Sequence, residues 1–90
     1  MRRIAKKAWP EYFQAVLDGV KNFELRLADF KVDSGDVLVL KEWDPETCDY
    51  TGREVKREVT YTARFKISDL ANFWSKEELD EKGIQVISLK

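Results

Sequence analysis

The feature that most narrows the folds open to this chain is an apolar helix stopped by a glycine and followed at once by an alternating stretch. The segment is Gly19-Val20-Lys21-Asn22-Phe23-Glu24-Leu25-Arg26. From Asn22 onward, Phe23, Leu25 and Leu27 share one parity, and Asn22, Glu24 and Arg26 the other. Successive side chains of a strand point to opposite faces, so the pattern predicts a strand over 22–27 with an amide, an acid and a base along one face. Lys21 stands at the mouth of that strand. A half-buried antiparallel strand with one solvated face explains the same pattern without any function.

The flanking elements follow from local signals. Arg2 to Ala8 reads as a strand around Ile4. Pro10 suits the first helical position, where its missing N–H has no intrahelical partner anyway. Tyr12, Phe13, Val16 and Leu17 form one apolar stripe on a helix from Pro10 to Asp18, which Gly19 ends. Asp33-Ser34-Gly35-Asp36 reads as a tight turn before a strand from Val37 to about Trp43. Residues 44–52 are dense in turn formers and predict a loop. A return strand is expected over Arg53 to Lys66, with Val55, Val59, Tyr61, Ala63 and Phe65 on one parity. Arg57 breaks that parity and marks a bulge or a rim position. Ser68 can cap a short helical piece, and Ser75 with Glu78 forms a capping box for another that stops at Gly83. Ile84 to Leu89 reads as a closing strand. Periodicity alone thus gives an α+β domain with a largely antiparallel sheet, a single domain over 1–90.

Composition limits the chemistry. Apolar residues make up 43% and charged residues 37%, as in a globular chain. No apolar run approaches the roughly 20 residues of a membrane span, and the N-terminus has no apolar core of a secretory signal. A lone Cys48 forms no internal disulfide and suggests a reducing, cytoplasmic setting. With no histidine and one cysteine, there is no Ser-His-Asp triad, no Cys-His pair and no zinc-type ligand set. No metal and no cofactor is expected. Asp44, Glu46 and Asp49 lack the spacing of a calcium loop.

Net charge is −1, but its distribution is uneven. Residues 1–8 hold Arg2, Arg3, Lys6 and Lys7 with no acid. Residues 53–66 hold Arg53, Lys56, Arg57, Arg64 and Lys66 against Glu54 and Glu58. A basic side suits phosphates, although solvated strand faces account for the same charges. Trp43 and Tyr50 flank the 44–52 loop and Arg53 follows it, a setting for stacking on bases. A small core also needs its large side chains, so at least two of the three tryptophans are expected inside.

The chemistry that remains is that of Lys, Glu, Asp, Arg and Tyr. Lys21 supplies a base or nucleophile, Glu24 a proton shuttle or hydrogen-bond acceptor, and Arg26 a bidentate clamp for phosphate. Glu24 and Arg26 can equally neutralise each other on the rim of the sheet.

The pattern Gly-x-Lys-x-x-Glu-x-Arg over Gly19 to Arg26, after a short amphipathic helix, resembles the signature of the ASCH family within the PUA-like superfamily. Val32-Asp33-Ser34-Gly35-Asp36-Val37-Leu38 is similar to the Gly-Asp turn and strand that follow there. Glu42 to Thr47 and Thr51 to Val55 resemble a small bacterial and archaeal branch. These motifs cover residues 9–65. The resemblance implies a small PUA-like mixed β-barrel with one N-terminal helix and short C-terminal helices. It also implies binding of RNA or a nucleotide, and in some members hydrolysis of an acetyl group from cytidine. In those active members a lysine and a threonine act with a downstream glutamate. Lys21 matches the lysine, and the threonine position holds Glu24. Glu58, Asp69, Glu77 and Glu78 all stand as candidates for the acid.

Three readings result. The first is RNA or nucleotide binding in a cleft lined by Lys21, Glu24 and Arg26, with Trp43 and Arg53 assisting. The second is an amidohydrolase acting on an acetylated cytidine nucleoside, with Lys21 and Glu24 catalytic. The third is a protein-interaction module. None involves a membrane.

Overall fold

The computed structural model describes residues 1–89. Its order is β1 (Arg3–Ala8), α1 (Pro10–Leu17), β2 (Val37–Asp44), β3 (Asp49–Glu58), a 3-10 helix (Ile67–Asn72) and α2 (Lys76–Lys82). The fold is α+β. Among the described residues the sheet has three strands in the order β1-β2-β3 and stays open, so it does not close into a barrel.

β1 runs parallel to β2, with Ile4, Lys6 and Ala8 beside Leu38, Leu40 and Glu42. This corrects the largely antiparallel expectation. A parallel pair needs a long crossover, and here the crossover is α1 plus the irregular segment 18–36. β2 and β3 pair antiparallel, Leu38 facing Arg57 and Leu40 facing Val55.

α1 begins at Pro10 and packs Phe13 and Val16 onto one sheet face, against Ala8, Leu40, Val55 and Leu38. Phe13 and Leu40 are each about 1% exposed and form the centre of the core. None of the tryptophans lies in it: Trp9 and Trp74 are exposed and Trp43 is half-buried. Gly19 closes α1 at φ +77°. Its N–H donates to the Val16 carbonyl (3.0 Å), and the Val20 N–H reaches back to Ala15 (3.1 Å). These two bonds form a Schellman cap, which requires a left-handed residue at Gly19.

The β2–β3 connection is shorter than expected, Pro45–Cys48, with Cys48 at φ 54° and Asp44 Oδ1 accepting from the Glu46 N–H at 2.9 Å. The bulge lies not at Arg57 but opposite Glu42. Lys41 faces Glu54 and Trp43 faces Tyr50, so the stretch 51–53 stands across from Glu42 alone, with Gly52 at φ +96°.

Three predicted strand segments are not strands. Residues 22–27 form no ladder. β3 ends at Glu58 because its partner β2 begins at the facing residue Val37. Residues 84–89 form no ladder either; Ser88 Oγ only accepts from the Asn22 N–H at 3.0 Å. Ser68 does not cap the first helical piece: the 3-10 helix begins one residue earlier, at Ile67, and the capping acceptor is Asp69. Asp69 Oδ2 accepts from the Lys66 N–H (2.8 Å), the Ser75–Glu78 box starts α2, and Gly83 ends it.

Candidate functional site

Beside α1, on the same sheet face, lies a cleft of about 420 Å³. Its floor is Leu38 and Leu40 of β2 with Val16 of α1. One wall is the crossover segment, including Lys21, Glu24, Arg26 and Phe30; the other is the chain from Arg57 to Arg64. The second wall is pinned to the 33–36 turn. The Gly35 N–H donates to the Val59 carbonyl (2.8 Å), the Val59 N–H to Asp36 (2.8 Å), and Ser34 Oγ to the Thr60 carbonyl (3.0 Å).

The turn is itself held rigidly. Asp36 is buried, and its carboxylate accepts from the backbone N–H groups of Asp33 and Arg2 (both 2.9 Å) and from the Arg2 guanidinium (3.0 Å). Those backbone donors, Asp33 first, hold the Asp36 carboxyl below its ordinary value.

Lys21, Glu24 and Arg26 therefore meet in one cleft, although the segment that carries them is irregular. Glu24 sits between the two cations. Lys21 Nζ donates to Glu24 Oε1 (2.8 Å) and to the Phe23 carbonyl (2.9 Å). Arg26 Nε donates to Glu24 Oε2 (3.0 Å), and its far nitrogen donates to the Lys7 carbonyl on β1 (2.6 Å). Lys21 Nζ also lies 4.8 Å from the centre of the Phe23 ring. Burial of each of these side chains is partial, so the pairs are screened less than surface pairs and remain reachable.

Four cations (Lys21, Arg26, Arg57, Arg64) and two acids (Glu24, Glu58) line the cleft. Arg57 and Arg64 have no carboxylate partner among the described residues; each donates only to a backbone carbonyl, Lys56 and Val32 respectively. The arrangement is an apolar floor under a net positive rim. Arg57 and Arg64 carry much of that charge, and the parity break at Arg57 was the signal for it. Of the four downstream acids, Glu58 lines the cleft, whereas Asp69 and Glu78 serve as helix caps and Glu77 lies on α2.

Trp43 and Arg53 are not in this cleft. Arg53 makes a bidentate pair with the buried Glu42 (3.0 and 2.9 Å), donates to Gln14 Oε1 (3.1 Å) and stacks over the Phe13 ring (4.8 Å). Thr51 Oγ1 adds a 2.6 Å bond to Glu42. The bulge opposite Glu42 brings both donors to one carboxylate. The Arg53 bonds first, then Thr51, bring the Glu42 carboxyl down to about 2, and the same pairing raises Arg53. Trp43 lies on the opposite sheet face, under Lys7. Among the described residues no group of three or more His, Cys, Asp or Glu side chains is placed to hold a metal, and no helix is long and apolar enough to cross a membrane.

Fold and site together define a small α+β domain with an open mixed sheet and a basic, apolar-floored cleft beside its first helix. The chain belongs to the DUF3850 family, described as a domain of unknown function, whose model matches residues 5–74. It is also 39% identical over 54 residues to an uncharacterized 12.9 kDa protein in the GpA 3' region of Escherichia phage P2, a match covering 60% of this chain and 48% of the phage protein. The match thus spans about half the length of that curated relative. No solved structure matches the chain.

Proposed function

We propose that this domain binds single-stranded RNA or a nucleotide in the cleft of Lys21, Glu24, Arg26, Arg57 and Arg64, as an ASCH-like, PUA-like member of its family acting in the cytoplasm. One observation carries the reading. The signature residues, brought together without a strand to align them, face a second basic wall across an apolar floor. An apolar floor accepts a base or ribose, and the two arginines without acid partners suit phosphate. Glu24, held between two cations, presents a carboxylate that can also accept from the amino or imino group of a base. The lone, exposed Cys48 fits a reducing compartment.

The test is titration of a labelled single-stranded RNA at two salt concentrations. The cleft has a surplus of two positive charges. Single strands release counterions with a slope of about −0.7 per neutralised phosphate, so affinity should fall about sevenfold between about 50 and 200 mM salt. An Arg57→Ala/Arg64→Ala double variant should lose most of that dependence. Absence of binding at low salt, or binding indifferent to salt, would sink the reading.

A hydrolytic reading takes its support from Glu58, the downstream acid that shares the cleft with Lys21. Lys21 Nζ donates to a carboxylate and a carbonyl, so it must give up a proton before it can act as base or nucleophile. Turnover of acetylated cytidine by wild type, abolished in Lys21→Ala, would establish this activity.

A further inference from the structure

Lys6 and Lys7 are neighbours in β1, and the strand pleat sends them to opposite faces of the sheet. Lys6 Nζ lies 3.8 Å from the centre of the Phe30 ring, a cleft residue. Lys7 Nζ lies 4.7 Å from the Trp43 ring and 5.8 Å from the Tyr50 ring, on the back face. Trp43 and Tyr50 face each other in the β2–β3 register, and Tyr50 is about half exposed. Lys7 thus lies between two aromatic side chains at one end of the sheet, Tyr50 exposed and Trp43 half-buried.

The charges around them are unusual. Lys7 stands directly beside Lys41 in the parallel register, and like charges opposed across strands are unfavourable. Neither lysine forms an ion pair among the described residues, although Glu54 faces Lys41 from β3. Two adjacent cations beside two aromatic side chains suit a polyanion that also offers flat, stackable groups. The site is continuous with the cleft. β1 is the edge of the sheet, and Arg26, a cleft residue, crosses to it and donates to the Lys7 carbonyl.

We propose that the back face at Lys7, Lys41, Trp43 and Tyr50 is a second binding site, for the bases and phosphates of a single-stranded nucleic acid running over the β1 edge. One base stacks on Trp43 or Tyr50, and a phosphate lies between the two lysines. Aromatic stacking is sequence-tolerant, so this surface adds affinity and length dependence without reading a particular base. The proposal goes beyond the cleft reading and does not need it.

The experiment compares uridine monophosphate with a labelled uridine hexanucleotide. Binding of each is measured on wild type, Trp43→Ala, Tyr50→Ala and the Arg57→Ala/Arg64→Ala variant, with circular dichroism confirming that each folds. Loss of one stacked base should weaken the hexanucleotide about five- to 150-fold and weaken the mononucleotide, held in the cleft, far less. Tyr50 is exposed, so Tyr50→Ala keeps the test decisive if Trp43→Ala does not fold. Lys7→Gln should lower the salt slope for the hexanucleotide by about 0.7. If the hexanucleotide binds no tighter than the mononucleotide, or is indifferent to both aromatic substitutions, the proposal is overturned and the cleft reading stands. If the double arginine variant loses the mononucleotide but keeps a hexanucleotide response that depends on the aromatics, both sites are supported. If wild type fails to bind the mononucleotide but binds the hexanucleotide through Trp43, the cleft reading falls and this one is supported.

Discussion

Replacing Gly19 with alanine isolates one backbone conformation. Gly19 has φ +77°, and an added Cβ would meet no atom within 4 Å. Any destabilisation therefore comes from conformation, not from collision. An L-residue in the left-handed region costs roughly 1–2 kcal/mol, and alanine returns about 0.4–1 kcal/mol by restricting the unfolded chain. The net is a loss of about 1 kcal/mol, or about 4–8 °C in melting temperature for a domain of this size. Thermal melting followed by circular dichroism reads it. D-alanine at the same position supplies the control, because it favours positive φ. The single Cys48 offers a ligation junction for assembling that protein from two synthetic segments. D-alanine should melt at or slightly above wild type. If L-alanine leaves the melting temperature unchanged, or if D-alanine lowers it equally, the Schellman account of the helix end is wrong.

Three further outcomes follow from the same geometry. Leu40→Ala empties the centre of a small core and should cost about 2–5 kcal/mol by chemical denaturation, a large share of a typical total of about 5–15 kcal/mol. Glu42 is a carboxyl with a depressed folded-state value, so its stabilisation is complete above 4.5 and is lost as pH falls through about 2. Acid titration should show stability declining across that window, with the Asp36 carboxyl acting in the same direction, and Glu42→Gln should make the decline shallower while weakening the fold at neutral pH. Glu24→Gln frees Lys21 and Arg26, so phosphate affinity should rise about tenfold while discrimination among bases falls; an equal loss for every nucleotide would make Glu24 only a counter-ion.

What could be read in the chain was whatever short-range chemistry decides. Pro10 and Gly19 bracket α1, Asp33 to Asp36 turns, and the Ser75–Glu78 box starts α2, because caps and turns are satisfied by neighbours in sequence. Strands also need a partner, which no local signal supplies. Asn22 to Leu27 alternates well, yet Leu25 and Leu27 are 73% and 81% exposed because no ladder aligns them with the core. Residues 59–66 alternate too, but the β2 strand that would pair with them starts only at Val37. The loop at 44–52 proved short because Cys48 adopts a left-handed turn conformation that glycine or asparagine would have announced. Lys21, Glu24 and Arg26 were nonetheless visible and meet in one cleft, whereas Arg53 and Trp43, neighbours of a conspicuous loop, are drawn off by Glu42 and by Lys7.

The most direct measurement of the central claim is a titration of isotopically labelled protein with uridine monophosphate, followed by backbone amide resonances. Binding in the cleft predicts that the largest shifts fall in residues 21–30 and 57–64, with β3 residues 49–54 little changed and the response absent in the Arg57→Ala/Arg64→Ala variant. Shifts confined to other parts of the fold, or none at millimolar ligand, would contradict the assignment of this cleft as the nucleotide site.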